Sequence, residues 1–285
     1  MKIKARLEPG KIAIVTGGSS GIGKAIACQL AEKGMDVWLV AQRKDILETA
    51  RKEVEGHRLN SSQKIGIVSA DISELNQARM VVEHVSEMSG PTDLLVNSAG
   101  VTHPGYIQDL DISIFQWMME VNYFGTVYMT KEVLPAMMKR GSGYLLNISS
   151  LVGAVSGFGY SAYGASKSAV RGFSEALRME LVLHGIGTSI VYPSDTDTPQ
   201  LEYENRFKPF ETKALANLTG AMTAEDVAKV IVRGIERGRF KIIPALEGKF
   251  WIRLNELSAD LVNFIADKIV ADAVKKNNSA ISKEA

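Results

Sequence analysis

Short runs of branched apolar residues alternate along this chain with longer segments whose apolar positions recur every three or four residues. The first run, Lys11–Thr16 (KIAIVT), ends in glycines and predicts a strand buried on both faces. Ile22–Lys33 follows with helical periodicity and stops at Gly34. The same alternation predicts strands at Asp36–Ala41, Ile65–Ser69, Asp93–Asn97, Gly143–Ser149 and Gly187–Tyr192. Helices are predicted between them at 44–56, 74–88, 112–139 and Ser161–His184. Strands separated by helices pair in parallel through right-handed crossovers. The predicted fold class is therefore α/β, a doubly wound (Rossmann-type) parallel sheet with helices on both faces. Ligands of such sheets sit beyond the carboxyl ends of the strands.

The rhythm breaks after Tyr192. Residues 193–222 hold Pro193, Pro199 and Pro209 among charges and short apolar pairs, and are predicted to form a substrate-loop insertion. A helix at Ala224–Arg237 and a strand at Phe240–Ile243 resume the pattern. Residues 248–275 are predicted as one C-terminal amphipathic helix, and 276–285 as a disordered tail. With no repeat beyond the βα unit, residues 1–285 are expected to form one domain with a helical C-terminal elaboration.

Composition narrows the function. Lys and Arg number 33 against 32 Asp and Glu, a net charge of +1, so bulk electrostatics offer no hold on nucleic acid. No run of about 18 apolar residues is present, and none follows the basic residues Lys2, Lys4 and Arg6. A cytoplasmic protein is expected. The single cysteine, Cys28, excludes an intramolecular disulfide and reads as a packing residue in a helix. No metal site is expected.

Candidate chemistry begins at Thr16-Gly17-Gly18-Ser19-Ser20-Gly21-Ile22-Gly23, between the first strand and first helix. Glycines let the backbone turn tightly and approach a pyrophosphate, and the helix behind presents free N–H donors. The spacing departs from the usual G-x-G-x-x-G, but the strand–turn–helix context fits dinucleotide binding. NAD-binding versions place an acid at the end of the second strand. Here that end reads Val40-Ala41-Gln42-Arg43-Lys44, with no carboxylate before Asp45. Arg43, helped by Ser19 or Lys44, can pair with a 2′-phosphate, which favours NADP(H); the other reading is a pair of solvated charges. Asp71, just after the third strand and before Ile72, and Asn97, at the end of the fourth and before Ser98, Ala99 and Gly100, both lie on the ligand edge. Asp71 can accept from an adenine amino group or cap a helix.

Tyr163 and Lys167 are four residues apart on a predicted helix and so share a face. An ordinary tyrosine, with pKa about 10, exchanges protons poorly near neutral pH. A cation beside it lowers that value, so Lys167 is expected to pull the phenol down. The spacing by itself fits an amphipathic helix equally well. Ser150 stands thirteen residues before Tyr163, where a hydroxyl can bond a substrate oxygen. Asn122 sits inside the long predicted helix, where it is expected to kink the helix, hold a water beside Lys167, or be a satisfied core amide.

Together the glycine loop, Asn97-Ser98-Ala99-Gly100, Asn122, Ser150 and Tyr163-x-x-x-Lys167 resemble the short-chain dehydrogenase/reductase family, in the family's order, over about residues 8–245. The resemblance implies an oxidoreductase in which Tyr163 is the acid/base, Ser150 polarises the substrate oxygen, Lys167 tunes the tyrosine and binds ribose, and Asn122 holds a relay water. It also implies nicotinamide contacts from Pro193, Thr196 and Thr198, although the usual Pro-Gly-x-Val-x-Thr is Pro193-Ser194-Asp195-Thr196-Asp197-Thr198 here. That departure, with Glu204-Asn205-Arg206-Phe207-Lys208-Pro209, resembles the 3-ketodihydrosphingosine reductase branch, which implies a hydrophobic, lipid-like ketone as substrate. Leu201, Tyr203, Phe207, Phe210, Leu215 and Leu218 can cover a lipid chain, and Asp195 or Glu202 can face its amine. The tail's apolar stripe, Phe250 to Ile269, can rest on a membrane, the core or a second subunit, and a homo-oligomer is expected.

Overall fold

Alternate residues of a strand face opposite sides of a sheet, and this chain fills both sides. The computed structural model describes residues 2–216, 218 and 220–284, of which 280–284 by their backbone. Strands β1 (Ile12–Thr16), β2 (Asp36–Ala41), β3 (Ile65–Ser69), β4 (Leu94–Asn97), β5 (Gly143–Ile148) and β6 (Ile186–Val191) form a parallel sheet. Ala13, Val15, Val37 and Leu39 enter one core with α1 (Gly21–Glu32) and α2 (Lys44–Glu55). Ile12, Ile14, Trp38 and Val40 enter the other, against α3 (Leu75–Ser89). Near-continuous apolar strands follow from this double burial.

Two helices and a π turn share the stretch expected to be one helix. After α4 (Ile112–Met118), residues Met119–Phe124 form a π-helical turn, and α5 (Gly125–Arg140) continues to Gly141, whose left-handed backbone ends it. Asn122 lies in the π turn. Next, α6 (Ser161–Leu181) packs on the second core, while further along the chain α9 (Ala224–Glu236) covers the first and β9 (Lys241–Ile242) extends the sheet. The strand order is β3-β2-β1-β4-β5-β6-β9, so the winding reverses between β1 and β4. A cleft opens beyond the strand ends at that reversal.

The insertion is ordered by its own turns. Short strands β7 (Thr196–Asp197) and β8 (Met222–Thr223) pair in parallel and pin its two ends. Between them lie α7 (Pro199–Phe207) and α8 (Phe210–Ala216). Thr198 caps α7 by accepting from Leu201 N at 3.3 Å, and Pro199 opens its first turn. Tyr106 Oη donates to Glu211 Oε2 at 2.9 Å, and Thr212 Oγ1 to Phe158 O at 2.9 Å, which ties α8 to the rest of the rim.

The tail corrects the expectation of a single helix over 248–275. It is two helices, α10 (Leu246–Leu257) and α11 (Ala259–Glu284), broken where Ser258 turns extended. α11 also runs on through 276–284, where a disordered tail was expected. Its inner face, Val262, Ile265, Ala266 and Ile269, lines the cleft, while Leu261 and Phe264 are exposed, as is Leu257 at the end of α10. No helix among the described residues is long and apolar enough to cross a membrane.

Candidate active site

The glycine loop is a cradle that side chains would fill. Gly17 has φ +65°, and a Cβ there would stand 2.7 Å from Ala99 N. At Gly21, with φ +53°, a Cβ would meet Thr198 Cγ2 at 2.9 Å, and at Gly23 it would strike the Gly17 carbonyl. The N-terminus of α1 opens onto this hollow, so the loop fits the pyrophosphate of a dinucleotide.

One cleft of about 510 Å³ runs from this loop across the sheet edge. Gly17, Ser19, Ser20, Gly21, Ile22, Gly23, Arg43, Asp71, Ile72, Ala99 and Gly100 line it. So do Ser150, Tyr163, Lys167, Pro193, Thr196 and Thr198, with Thr198 against Gly21 and Lys167 against Gly100. Four expected site residues do not line it. Thr16 is buried, and its hydroxyl accepts from Ser98 N at 3.1 Å and Ala99 N at 3.2 Å, fixing that loop beside the glycines. Asn97 points into the interior, its amide donating to Asn147 Oδ1 at 2.9 Å and Thr130 Oγ1 at 3.2 Å, because β4 is covered on both faces. Lys44 faces a separate recess with Ile67 and His84, since α2 begins there and turns it away. Asn122 is the satisfied core amide: it accepts from Val101 N at 2.7 Å and donates to Val101 O and Ser166 Oγ, each at 2.9 Å. That clasp joins the loop after β4 to α6.

Asp71 caps a turn by accepting from Ser73 N at 2.9 Å and Ser73 Oγ at 2.6 Å. Burial acts to raise its pKa, but these bonds and one from Gln42 hold the carboxyl below its ordinary value. Burial pushes the Cys28 thiol up to about 11, which leaves it an inert packing residue.

Ser150 reaches Tyr163 because the backbone between them folds back on α6. A 3-10 turn at Leu151–Gly153 follows Ser150, and a Cβ on Gly153 would lie 2.9 Å from the Lys167 carbonyl. Only glycine permits this approach, and the sequence offered no motif to mark it. Lys167 is buried; its ammonium donates to Ile148 O at 3.1 Å and lies 5.7 Å from the Tyr163 ring centre. Burial pushes Lys167 down to about 8.

The phenol behaves opposite to expectation. Tyr163 is raised above its ordinary value, first by burial and then by the Glu204 carboxylate; hydrogen bonds with Ser150 and Gln200 offset part of this. Lys167 was expected to lower it, but desolvation and the acids dominate. The sequence marked Glu204 only as part of a motif and Gln200 and Tyr160 not at all, yet all three line the cleft beside Tyr163. Of the two acids expected to face an amine, Asp195 lines the cleft and Glu202 is exposed outside it. The apolar cover is likewise shared differently: Leu201, Leu215 and Leu218 line the cleft, with Trp117, Trp251 and the inner face of α11. Phe210 is not on the cleft wall, and Tyr203 and Phe207 stack outside on His103.

A family model described as short chain dehydrogenase matches residues 11–208. The chain is 41% identical over 233 residues to the 3-ketodihydrosphingosine reductase of Bos taurus, spanning 81% of this chain and 70% of that one. It is 38% identical over 247 residues to the protein of that name from Dictyostelium discoideum, spanning 82% and 74%. A solved short chain dehydrogenase/reductase from Burkholderia phymatum in complex with NAD shares the fold, with a TM-score of 0.79 at 24% identity over 90% of this chain and 96% of that one. Levodione reductase does so with a TM-score of 0.76 at 23% identity, over 84% and 97%. The chain belongs to the short-chain dehydrogenase family, and is an oxidoreductase that acts on a ketone or alcohol with a nicotinamide dinucleotide, in the branch that holds the 3-ketodihydrosphingosine reductases.

Proposed function

We propose that this chain reduces 3-ketodihydrosphingosine to dihydrosphingosine with NADPH, Tyr163 giving the proton. The observation that carries the reading is the continuity of one cleft, which joins Ser150 and Tyr163 to an apolar roof of α8 and α11 residues. A long hydrocarbon chain needs such a roof, and a small polar ketone does not. The likeness to curated reductases of that ketone supports the same substrate.

The glycine loop and Arg43 would hold a dinucleotide, which when bound would supply the hydride. Ser150 donates a hydrogen bond to the ketone oxygen and holds it toward Tyr163. The Tyr163 hydroxyl passes its proton to that oxygen as negative charge builds there. The raised pKa keeps the phenol protonated, the form a reduction requires. Lys167, cationic below about pH 8, favours the phenolate left behind. Asn122 acts as a positioning residue through its clasp on Val101 and Ser166.

NADPH consumption by purified protein tests the substrate, with 3-ketodihydrosphingosine set beside an acetoacetyl thioester and a steroid ketone. Brisk turnover of another ketone and none of the sphingoid one would sink the assignment. For the cofactor, Arg43 lines the cleft just past the end of the second strand, where the sequence from Ala41 to Lys44 holds no carboxylate; Asp71, from the loop after the third strand, accepts from the neighbouring Gln42. Arg43→Ala should weaken NADPH binding about 10- to 100-fold, the worth of a charged hydrogen bond, and NADH only slightly. Equal losses in the two titrations would mark Arg43 as a structural charge.

A further inference from the structure

Beside Tyr163 lies a group of charges that the reaction above does not use. Glu204 on α7 is 6% exposed and lines the cleft. Its carboxylate accepts from Tyr160 Oη at 2.7 Å and from Gln200 Nε2 at 3.3 Å, and Gln200 also bonds the Tyr163 hydroxyl. The Tyr160 and Tyr163 rings are 5.7 Å apart, so this carboxylate sits next to the reacting end of the cleft. Lys208 reaches in from behind, its side chain 1% exposed, with Nζ 3.0 Å from Asp195 Oδ2 and 3.5 Å from Glu204 Oε2. Lys208 is not on the cleft wall, whereas Asp195 and Glu204 are. Next to Asp195 on that wall, the Ser194 hydroxyl oxygen is buried and has no hydrogen-bond partner among the described residues. A buried polar atom without a partner costs free energy unless a ligand satisfies it.

Two carboxylates share one buried ammonium, which leaves one negative charge in excess when all three are ionised. For a plain ketone that excess is a handicap. Reduction builds negative charge on the oxygen held by Ser150 and Tyr163, and nearby anions oppose it. Both acids also hold the Tyr163 proton in place. A substrate bearing a cation on the carbon next to its carbonyl reverses the sign: it neutralises the excess, frees the proton and offers N–H donors to the unpartnered oxygen.

We propose that Glu204 and Asp195, with the Ser194 hydroxyl, form an ammonium subsite that selects ketones carrying a primary amine next to the carbonyl. The inference rests on the reading of this chain as a ketone reductase. The amine docks on the acids while the ketone oxygen faces Tyr163, and the hydrocarbon chain runs toward α8 and α11. This fixes which side of the ketone carries the chain, so the subsite sets orientation as well as choice.

The test compares 3-ketodihydrosphingosine with its N-acetyl derivative, which keeps the ketone and chain and loses the charge. With wild type and NADPH, kcat/KM should favour the free amine by about tenfold or more, the worth of a charged hydrogen bond. Glu204→Gln, which keeps the size of the side chain, and Asp195→Asn should each collapse that ratio, chiefly through KM for the free amine. A ratio left unchanged, with both substrates falling together, would make the acids structural and overturn the subsite. Binding provides a readout independent of turnover: Trp117 and Trp251 line the cleft, and their fluorescence should report tighter binding of dihydrosphingosine than of N-acetyldihydrosphingosine. Amine-selective binding that Glu204→Gln removes, in a protein that reduces neither ketone, keeps the subsite and removes the reductase reading. Equal binding of the two alcohols overturns the subsite whatever the turnover.

Discussion

Tyr163→Phe is expected to lower kcat/KM for ketone reduction by about 1000-fold or more, the upper range for loss of a general acid, while NADPH binding stays within about twofold. The change removes one hydroxyl and nothing else. The ring remains packed with Met118 and Ala162, against Tyr160, so the fold and the cleft keep their shape. Ser150 stays in place, because its position comes from the turn at Leu151–Gly153 and not from the phenol. What disappears is the acid that protonates the ketone oxygen, and a buried site has little water to replace it. Steady-state turnover, NADPH fluorescence titration and thermal unfolding separate the three effects. Activity within tenfold of wild type, with normal folding, would remove Tyr163 as the acid.

The sheet was legible because its signal is strong. Strands buried on both faces read as continuous apolar runs, and Asp36–Ala41 and Ile65–Ser69 emerge with the predicted bounds. The residues that carry local backbone chemistry were legible too: the glycine cradle, Ser150, Tyr163 and Lys167 meet in one cleft. What stayed hidden depends on which way a side chain turns. Asn97 and Thr16 occupy the ligand edge in sequence, but side chains of β5 and α5 and the loop at Ser98 claim their polar groups. The insertion was read as irregular because of its prolines. Yet Thr198-Pro199 is a helix start, a capping hydroxyl followed by a proline in the first turn. Read so, Gln200, Glu204 and Lys208 fall at successive turns of one face, and the buried charges beside Tyr163 would have been visible. The sign of the Tyr163 shift was inaccessible too, since burial of the phenol leads it and the Glu204 carboxylate adds to it.

Lys167→Met should lower kcat/KM about 100-fold, since it removes the cation that favours the phenolate, but its effect on stability is the sharper test. Burial pushes the Lys167 ammonium in the folded chain down to about 8, against about 10.4 for a lysine in an unfolded chain. Below pH 8 both states hold the proton, and the folded chain carries the cost of a buried cation. Between about pH 8 and 10.4 the folded chain gives up that proton first, so the unfolded state binds more protons and stability rises with pH. The rise amounts to about 3 kcal/mol, and it stops once both states are neutral. Methionine has a similar length and does not titrate, so the difference in unfolding free energy between wild type and variant isolates this group from the other alkaline titrations. That difference should shift toward wild type by about 3 kcal/mol across the window, measured by denaturant unfolding without added nucleotide. Over the same range, wild-type reduction should decline toward the rate of the variant as the cation is lost. A flat stability difference would mean that Lys167 keeps an ordinary, solvated ammonium. The close approach of Gly153 to the Lys167 backbone and the bond to Ile148 O would then be features of packing only.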